Sequence, residues 1–387
     1  MLPGVGLFGT GQIMNVLVPL LREKGFEIKA IWGRTLKEAQ EMAQSQKITF
    51  YTNKIDDVLL HKDVGLVFIA CQPFLHAEIS VKALGIGKHV VCDKPMGLHQ
   101  IDAMKMVRAS QYYPTLISLV SYSLRFLPAF THMKRYLDEE IIGPIELVDV
   151  RVQIGKLFPE KFDWMCDGFM GGGVLNLVGS HIIDLVHYLL RLQAVRVHGI
   201  VRSYTLITPN INGIRHISAP DYCNFQMELP NGILVTVSIF THTVPAKGFT
   251  QEVIICGSEG HLAVRGGDLF LFKTKSGLPP QLKEEALYVD VQDLHISTSE
   301  SLLPRPYIKG YCKMIGALKE AFGAEEASWV KEPVLAAATF EDGLYVQAVL
   351  EAIHNSSNLR SWQRVKIKSD TPSNHDQIMR FARMSTM

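Results

Sequence analysis

Up to about residue 122, short apolar runs alternate with segments of helical periodicity, and beyond it apolar runs of strand character follow one another with only turns between them. Strand–helix alternation builds parallel strands with helices on both faces, whereas strands in series build antiparallel pairs. The chain is therefore predicted to be α/β over residues 1–122 and α+β over 123–368, with a flexible tail over 369–387. The second part should hold one large, mostly antiparallel, open-faced sheet.

The first strand, Val5-Gly6-Leu7-Phe8, runs into Gly9-Thr10-Gly11-Gln12-Ile13-Met14 and then a helix from Val16 to Arg22. This order opens a Rossmann unit, where the first glycine permits the turn and the second lets a pyrophosphate approach the helix N-terminus. Met14 stands where the third glycine would be, so the turn alone also fits an ordinary strand–helix connection. A second strand, Phe26 to Trp32, ends in Gly33-Arg34-Thr35, where NAD-binding chains carry an acidic ribose-binding residue. A cation and a hydroxyl there favour NADP over NAD, while a solvated loop arginine is the simpler alternative. Val64 to Ala70 reads as a central parallel strand, with Cys71, Pro73 and His76 at its carboxyl end, where cofactor contacts belong. The next strand ends in Asp93-Lys94-Pro95, and a cis or otherwise unusual backbone is expected at Pro95.

Gly171-Gly172-Gly173 suits close backbone approach better than a helix interior, and an apolar helix follows through Leu175, Val178, Ile182 and Leu185. His181 and Asp184 lie three apart and share a face of that helix. They could be a proton-handling pair set into a pocket floor, or a core histidine satisfied by its neighbour.

Composition removes other classes. With 47% hydrophobic and 20% charged residues the chain is globular, and a net charge of +1 without a basic stripe gives no basis for nucleic-acid binding. Cys71, Cys92, Cys166, Cys223, Cys256 and Cys312 are scattered without metal-ligand spacing, so no metal site is expected and the thiols read as reduced. No uncharged apolar run reaches the roughly 18 residues of a membrane span. Val5 to Leu21 lacks the basic flank of a signal peptide, which favours the cytoplasm.

The Gly-Lys-His turn at 87–89, Asp93-Lys94-Pro95, Arg125-Phe126-Leu127-Pro128, Ile142-Gly143-Pro144, the glycine-rich helix and Asp342-Gly343-Leu344 together resemble the Gfo/Idh/MocA oxidoreductase family over nearly the whole chain. Details such as Gly213-Ile214-Arg215-His216 look more narrowly like the animal glucose-fructose oxidoreductase domain-containing proteins. The resemblance implies hydride transfer between NADP and a sugar-like or polyol-like hydroxyl, with Lys94 polarising the substrate oxygen and His181 as general acid/base. It also implies substrate contacts at Lys94 and His181, and Asn176, on the same glycine-rich helix, is a further expected substrate contact. Gly9, Thr10, Gly11, Gln12, Ile13, Gly33, Arg34, Thr35, Cys71, Pro73, His76, Asp93, Lys94, Pro95 and Arg125 are the expected cofactor positions. For Arg125, an anionic substrate group or a carboxylate at the domain junction are equal alternatives. A homodimer through the open sheet face is expected on both physical and family grounds. Some members of the animal group are described as extracellular, the alternative to a cytoplasmic location. The family's dehydrogenases usually carry an aspartate four residues before the histidine, and here that position is Leu177. A weakly active or inactive NADP-binding dimer with a regulatory or scaffolding role is therefore the alternative function.

Overall fold

The computed structural model describes residues 2–155, 157–211, 213–241, 248–273, 283–291, 303–323 and 332–368. The expected tail at 369–387 lies outside them.

The first sheet contains β1 (Val5–Phe8), β2 (Ile28–Trp32), β3 (Phe50–Thr52), β4 (Leu66–Ile69), β5 (His89–Cys92) and β6 (Ser118–Val120). Its order is β15-β6-β5-β4-β1-β2-β3, with β1 to β6 parallel and β15 (Ala338–Thr339) antiparallel at the β6 edge. Every residue of β1 and β4 is buried, which the uninterrupted apolar runs require of central strands covered on both faces. The connecting helices are α1 (Met14–Glu23), α2 (Leu36–Gln46), α3 (Ile55–Leu59), α4 (His76–Gly85) and α5 (Gln100–Tyr112).

After α6 (Pro128–Asp138) the chain enters a nine-stranded sheet. Its strands are β7 (Ile145–Ile154), β8 (Arg196–Arg202), β9 (Tyr222–Glu228), β10 (Leu234–Phe240), β11 (Phe249–Gly257), β12 (Gly260–Arg265), β13 (Asp268–Lys273), β14 (Glu285–Tyr288) and β16 (Gln363–Arg364). Their order is β14-β13-β12-β11-β7-β10-β9-β8-β16, antiparallel except where β7 meets β10. Period-two alternation sends Val148, Val150 and Val152 of β7, and Val235, Val237 and Ile239 of β10, into the core. The other face carries Leu147, Asp149 and Arg151 opposite Leu234, Thr236 and Ser238. Helix α7 (Ser180–Leu190) and α9 (Phe340–Leu359) belong to the core on the inner side. Residues 168–190 have the length and composition of a membrane-crossing helix, but 83% of their most apolar window is buried inside the protein.

Two details differ from the sequence expectation. Helix α8 (Arg305–Gly323), expected to belong to the second domain, packs Ile308, Met314, Ile315 and Leu318 into one core with Leu7, Leu20 and Phe68 of the first. With β15, it makes the first domain discontinuous in sequence. The sequence 333–354 reads as one helix, but α9 starts at Phe340, because Ala338 and Thr339 are paired with β6 and Thr339 closes a capping box with Asp342.

Candidate active site

The first turn has the form a dinucleotide needs. Gly9 has φ +130°, and a Cβ there would stand 2.3 Å from the Ala70 carbonyl oxygen, so only glycine fits. A Cβ on Gly11 would meet nothing within 4 Å, so the protein leaves that side of the turn open. Thr10, Gly11, Gln12 and Ile13 precede α1, which has no side-chain N-cap and no acidic residue in its first turn, as an anion site requires. Met14 is fully buried in the core, so the missing glycine has become a packing residue. A glycine role in helix–strand contact is found at Gly33 instead, where a Cβ would stand 2.9 Å from both the Ala39 nitrogen and the Thr10 methyl. Thr35 caps α2 by accepting from the Glu38 amide, and the exposed Arg34 is paired with Glu38. These residues fit a nicotinamide dinucleotide laid over the carboxyl ends of β1 and β4.

At the ends of β4 and β5 the predicted positions separate into two groups. Pro73 is buried in a short 3-10 turn and lies under Gly171, whose hypothetical Cβ would be 3.4 Å from its ring. The glycine-rich turn of the second domain therefore closes onto the edge of the first sheet. Burial pushes the Cys71 thiol up to about 12, which leaves it unreactive. His76 is fully buried, with Nδ1 3.1 Å from the Pro95 carbonyl and Nε2 3.1 Å from the Cys71 carbonyl. His76, expected at the cofactor, stands here between the two loops that carry Cys71 and Pro95, and its ring braces them.

Asp93 accepts from the hydroxyls of Ser121 at 2.6 Å and Tyr311 at 2.9 Å, which ties it to β6's end and to α8. The Lys94–Pro95 peptide is cis. Lys94 donates from Nζ to the Leu177 carbonyl at 2.6 Å across the domain junction. Burial holds the Lys94 ammonium below its usual pKa, with Asp93 opposing. Leu177 sits in a π-helical turn, Leu175–Gly179, a local widening often found at functional sites.

His181 follows at the start of α7. It is 2% exposed, its ring lies edge-on between Tyr122 and Tyr307 at 5.6 and 4.8 Å, and its Nδ1 is enclosed without a partner. Burial first, and the Lys94 charge second, hold its pKa well below the usual value, so the ring is neutral. The alternative of a histidine satisfied by Asp184 is not what the structure holds. Asp184 instead accepts from Arg125, Nε at 2.9 Å and Nη2 at 2.6 Å, and Arg125 Nη1 lies 3.2 Å from Asp342. Of the readings open for Arg125, the structure holds the carboxylate pairing at the domain junction, with Asp184 and Asp342 on its guanidinium.

Several groups at the site were not singled out from sequence. Among the described residues neither the enclosed Tyr122 hydroxyl nor the Nε2 of Gln251 has a partner, and the Gln251 Oε1 is 3.5 Å from the Tyr307 hydroxyl. Tyr307 and Tyr311 are four apart on α8, and that spacing was the one local signal available. Asn176, expected at the substrate, donates weakly to the Gly172 carbonyl at 3.4 Å and lines a cavity of about 1020 Å³ beside the site. Pro95 and Gly171 line the same cavity, whereas Lys94 and His181 do not.

A parallel dinucleotide-type sheet joined to an open-faced mixed sheet, with a lysine and a buried histidine at the junction, is the architecture of a two-domain nicotinamide-binding oxidoreductase. Residues 4–118 match the oxidoreductase family with an NAD-binding Rossmann fold, and residues 130–263 match the GFO/IDH/MocA C-terminal domain. The chain belongs to the Gfo/Idh/MocA oxidoreductase family. It is 42% identical over 392 residues to glucose-fructose oxidoreductase domain-containing protein 1 of Xenopus tropicalis, covering 100% of this chain and 99% of the relative. It is 42% identical over 380 residues to glucose-fructose oxidoreductase domain-containing protein 2 of Homo sapiens, covering 98% and 97%. The structure of levoglucosan dehydrogenase in complex with NADH and levoglucosan shares the fold at a TM-score of 0.76 and 19% identity, covering 95% of this chain and 100% of that one.

Proposed function

We propose that the protein is an NADP-dependent oxidoreductase that transfers a hydride between nicotinamide and a neutral, hydroxylated small molecule of the sugar or polyol class. The observation that carries this reading is the placement of Lys94 beside a neutral His181 whose enclosed nitrogen is Nδ1, leaving Nε2 for a substrate proton. Bound nicotinamide supplies hydride acceptance or donation. In the oxidative direction His181 takes the hydroxyl proton, and Lys94 exchanges the Leu177 carbonyl for the oxygen on which negative charge grows. The Tyr122 hydroxyl and Gln251 amide, without partners among the described residues, are neutral groups suited to further hydroxyls, and the charge of Arg125 is already met by Asp184 and Asp342. Arg34, at the exposed end of β2, supports the choice of NADP. The mixed outer face, with Leu147, Leu234 and Phe240 among polar residues, supports a homodimer, and the cytoplasm remains the proposed location.

A second reading, a dinucleotide-binding dimer without turnover, is favoured by Leu177 in place of an acidic residue and by the 2% exposure of His181. Fluorescence titration of the nucleotide-free protein with NADPH and NADH, followed by a screen of sugars and polyols on wild type and Lys94→Ala, separates them. Tighter NADPH binding, and turnover that falls at least about 100-fold in the variant, support the enzyme. Binding without turnover on any substrate class supports the second reading, and no dinucleotide binding sinks both.

A further inference from the structure

The cavity beside the site has two unlike walls. Helix α9 turns Gln347, Glu351, His354 and Asn358 toward it at helical spacing, a polar stripe on a helix otherwise built into the core. The lining also holds large apolar side chains, Leu98 just before α5, Ile101 and Met104 on it, and Phe169 before the glycine-rich turn, with His99 among them. Ile101 is 59% and Phe169 90% exposed, more than a buried packing role explains for two large apolar side chains.

The polar wall is not used up by the fold. Gln347 is 4% exposed, donates Nε2 to the Leu98 carbonyl at 2.8 Å, and keeps its Oε1 enclosed without a partner among the described residues, a state buried carbonyl oxygens rarely hold. Glu351, by contrast, is engaged, accepting from the Gln100 amide nitrogen at 2.7 Å and its side-chain Nε2 at 2.9 Å. Lys368 stands 3.9 Å from the same carboxylate, so among the described residues of the lining the acid and the lysine offset each other. The lining thus combines amides and imidazoles with large apolar side chains. Amides both donate and accept, which matches hydroxyl groups, and the apolar wall matches a flat unsubstituted ring.

We propose that this cavity is a second ligand site, separate from the reactive pair, for a neutral molecule that joins a hydroxyl-bearing ring to an apolar ring, the chemistry of an aryl glycoside. Its hydroxyls lie along α9 and its apolar ring against Ile101, Met104 and Phe169. At about 1020 Å³ the space is at the upper end for a small-molecule pocket and larger than a single small polyol needs.

Saturation-transfer NMR with phenyl β-D-glucopyranoside tests the site on the full-length protein without requiring turnover. Transfer to both rings is expected, with affinity falling roughly 10-fold in Ile101→Glu and in Asn358→Leu, at exposed positions that do not threaten folding. Lys94→Ala should leave binding unchanged. No transfer in the wild type overturns the proposal. So does binding that survives both wall substitutions, or that Lys94→Ala abolishes, which would put the probe at the reaction centre. None of these outcomes depends on dinucleotide binding, so the proposed oxidoreductase activity stands or falls separately.

Discussion

Replacing Arg125 by leucine tests the clamp at the domain junction. Arg125 and Asp184 side chains are 6% and 1% exposed, and their two hydrogen bonds of 2.9 and 2.6 Å form a fork that water cannot replace. Deleting the guanidinium leaves Asp184 buried without a cation and removes the contact to Asp342. Breaking such a pair from one side costs about 3–5 kcal/mol. For a domain of roughly 150–250 residues, 1 kcal/mol moves Tm by about 2–4 °C, so a fall of about 6–20 °C is expected by scanning calorimetry. Arg125→Lys keeps the charge but loses the fork, and should fall in between. Arg125→Leu combined with Asp184→Leu removes both charges and should recover much of the loss. A single Arg125→Leu variant within about 2 °C of wild type would refute the clamp, since it would mean that the pair contributes less than about 1 kcal/mol.

Gly11→Ala should leave Tm unchanged while weakening dinucleotide binding at least about 10-fold, because its Cβ meets no protein atom and fills the approach to the helix N-terminus. Gly9→Ala should instead lower stability by about 1–3 kcal/mol, from its φ of +130° and the clash with the Ala70 carbonyl. For His187, burial opposes the charge, but Asp342 at 3.3 Å and the Leu192 carbonyl at 3.0 Å outweigh it and raise the pKa above 6.5. The stability this contributes is fully present below 6.5 and is lost as pH rises through the raised value, so the Tm gap between wild type and His187→Gln should narrow across that window. Equal gaps throughout would show that the charge does not matter. In Leu177→Asp, a carboxylate near Lys94 should shift the titration of Lys94, followed by NMR after reductive methylation, to higher pH, and an unmoved titration would show that the side chain of residue 177 does not face the ammonium.

The parts of this fold set by neighbouring residues were legible in the sequence. Gly9 and Gly11 announce the turn through backbone sterics, and β1 and β4 announce their central place through unbroken apolar runs. What depends on distant segments was not. Asp93-Lys94-Pro95 was readable as a site, but nothing near it in sequence says that Tyr311, from a helix more than two hundred residues on, would bond Asp93. The amphipathic pattern of α8 shows that it packs against something, and only the three-dimensional arrangement selects the first sheet. Arg125 was left between two readings because an arginine's role is decided by which carboxylates reach it, here from α7 and α9. Gln251 reads in sequence as one residue of a strand, and only burial without a partner for Nε2 marks it out.

Leu177 was the residue that weakened the case for turnover, and the structure changes what its substitution means. The leucine position keeps an acceptor for Lys94, because its main-chain oxygen receives the ammonium at 2.6 Å. A carbonyl is neutral, so it positions the ammonium without favouring its charge as strongly as a carboxylate would. Burial then dominates, and the one carboxylate opposing it, on Asp93, is shared with Ser121 and Tyr311. On the proposed reading, a substrate oxygen that takes the place of that carbonyl exchanges one neutral acceptor for another, and only the incoming one gains negative charge as the hydride leaves. An interaction that strengthens between ground state and transition state is what accelerates a chemical step. An aspartate at 177 would hold Lys94 strongly in both states and compete with the substrate for it, so leucine there is compatible with catalysis at Lys94.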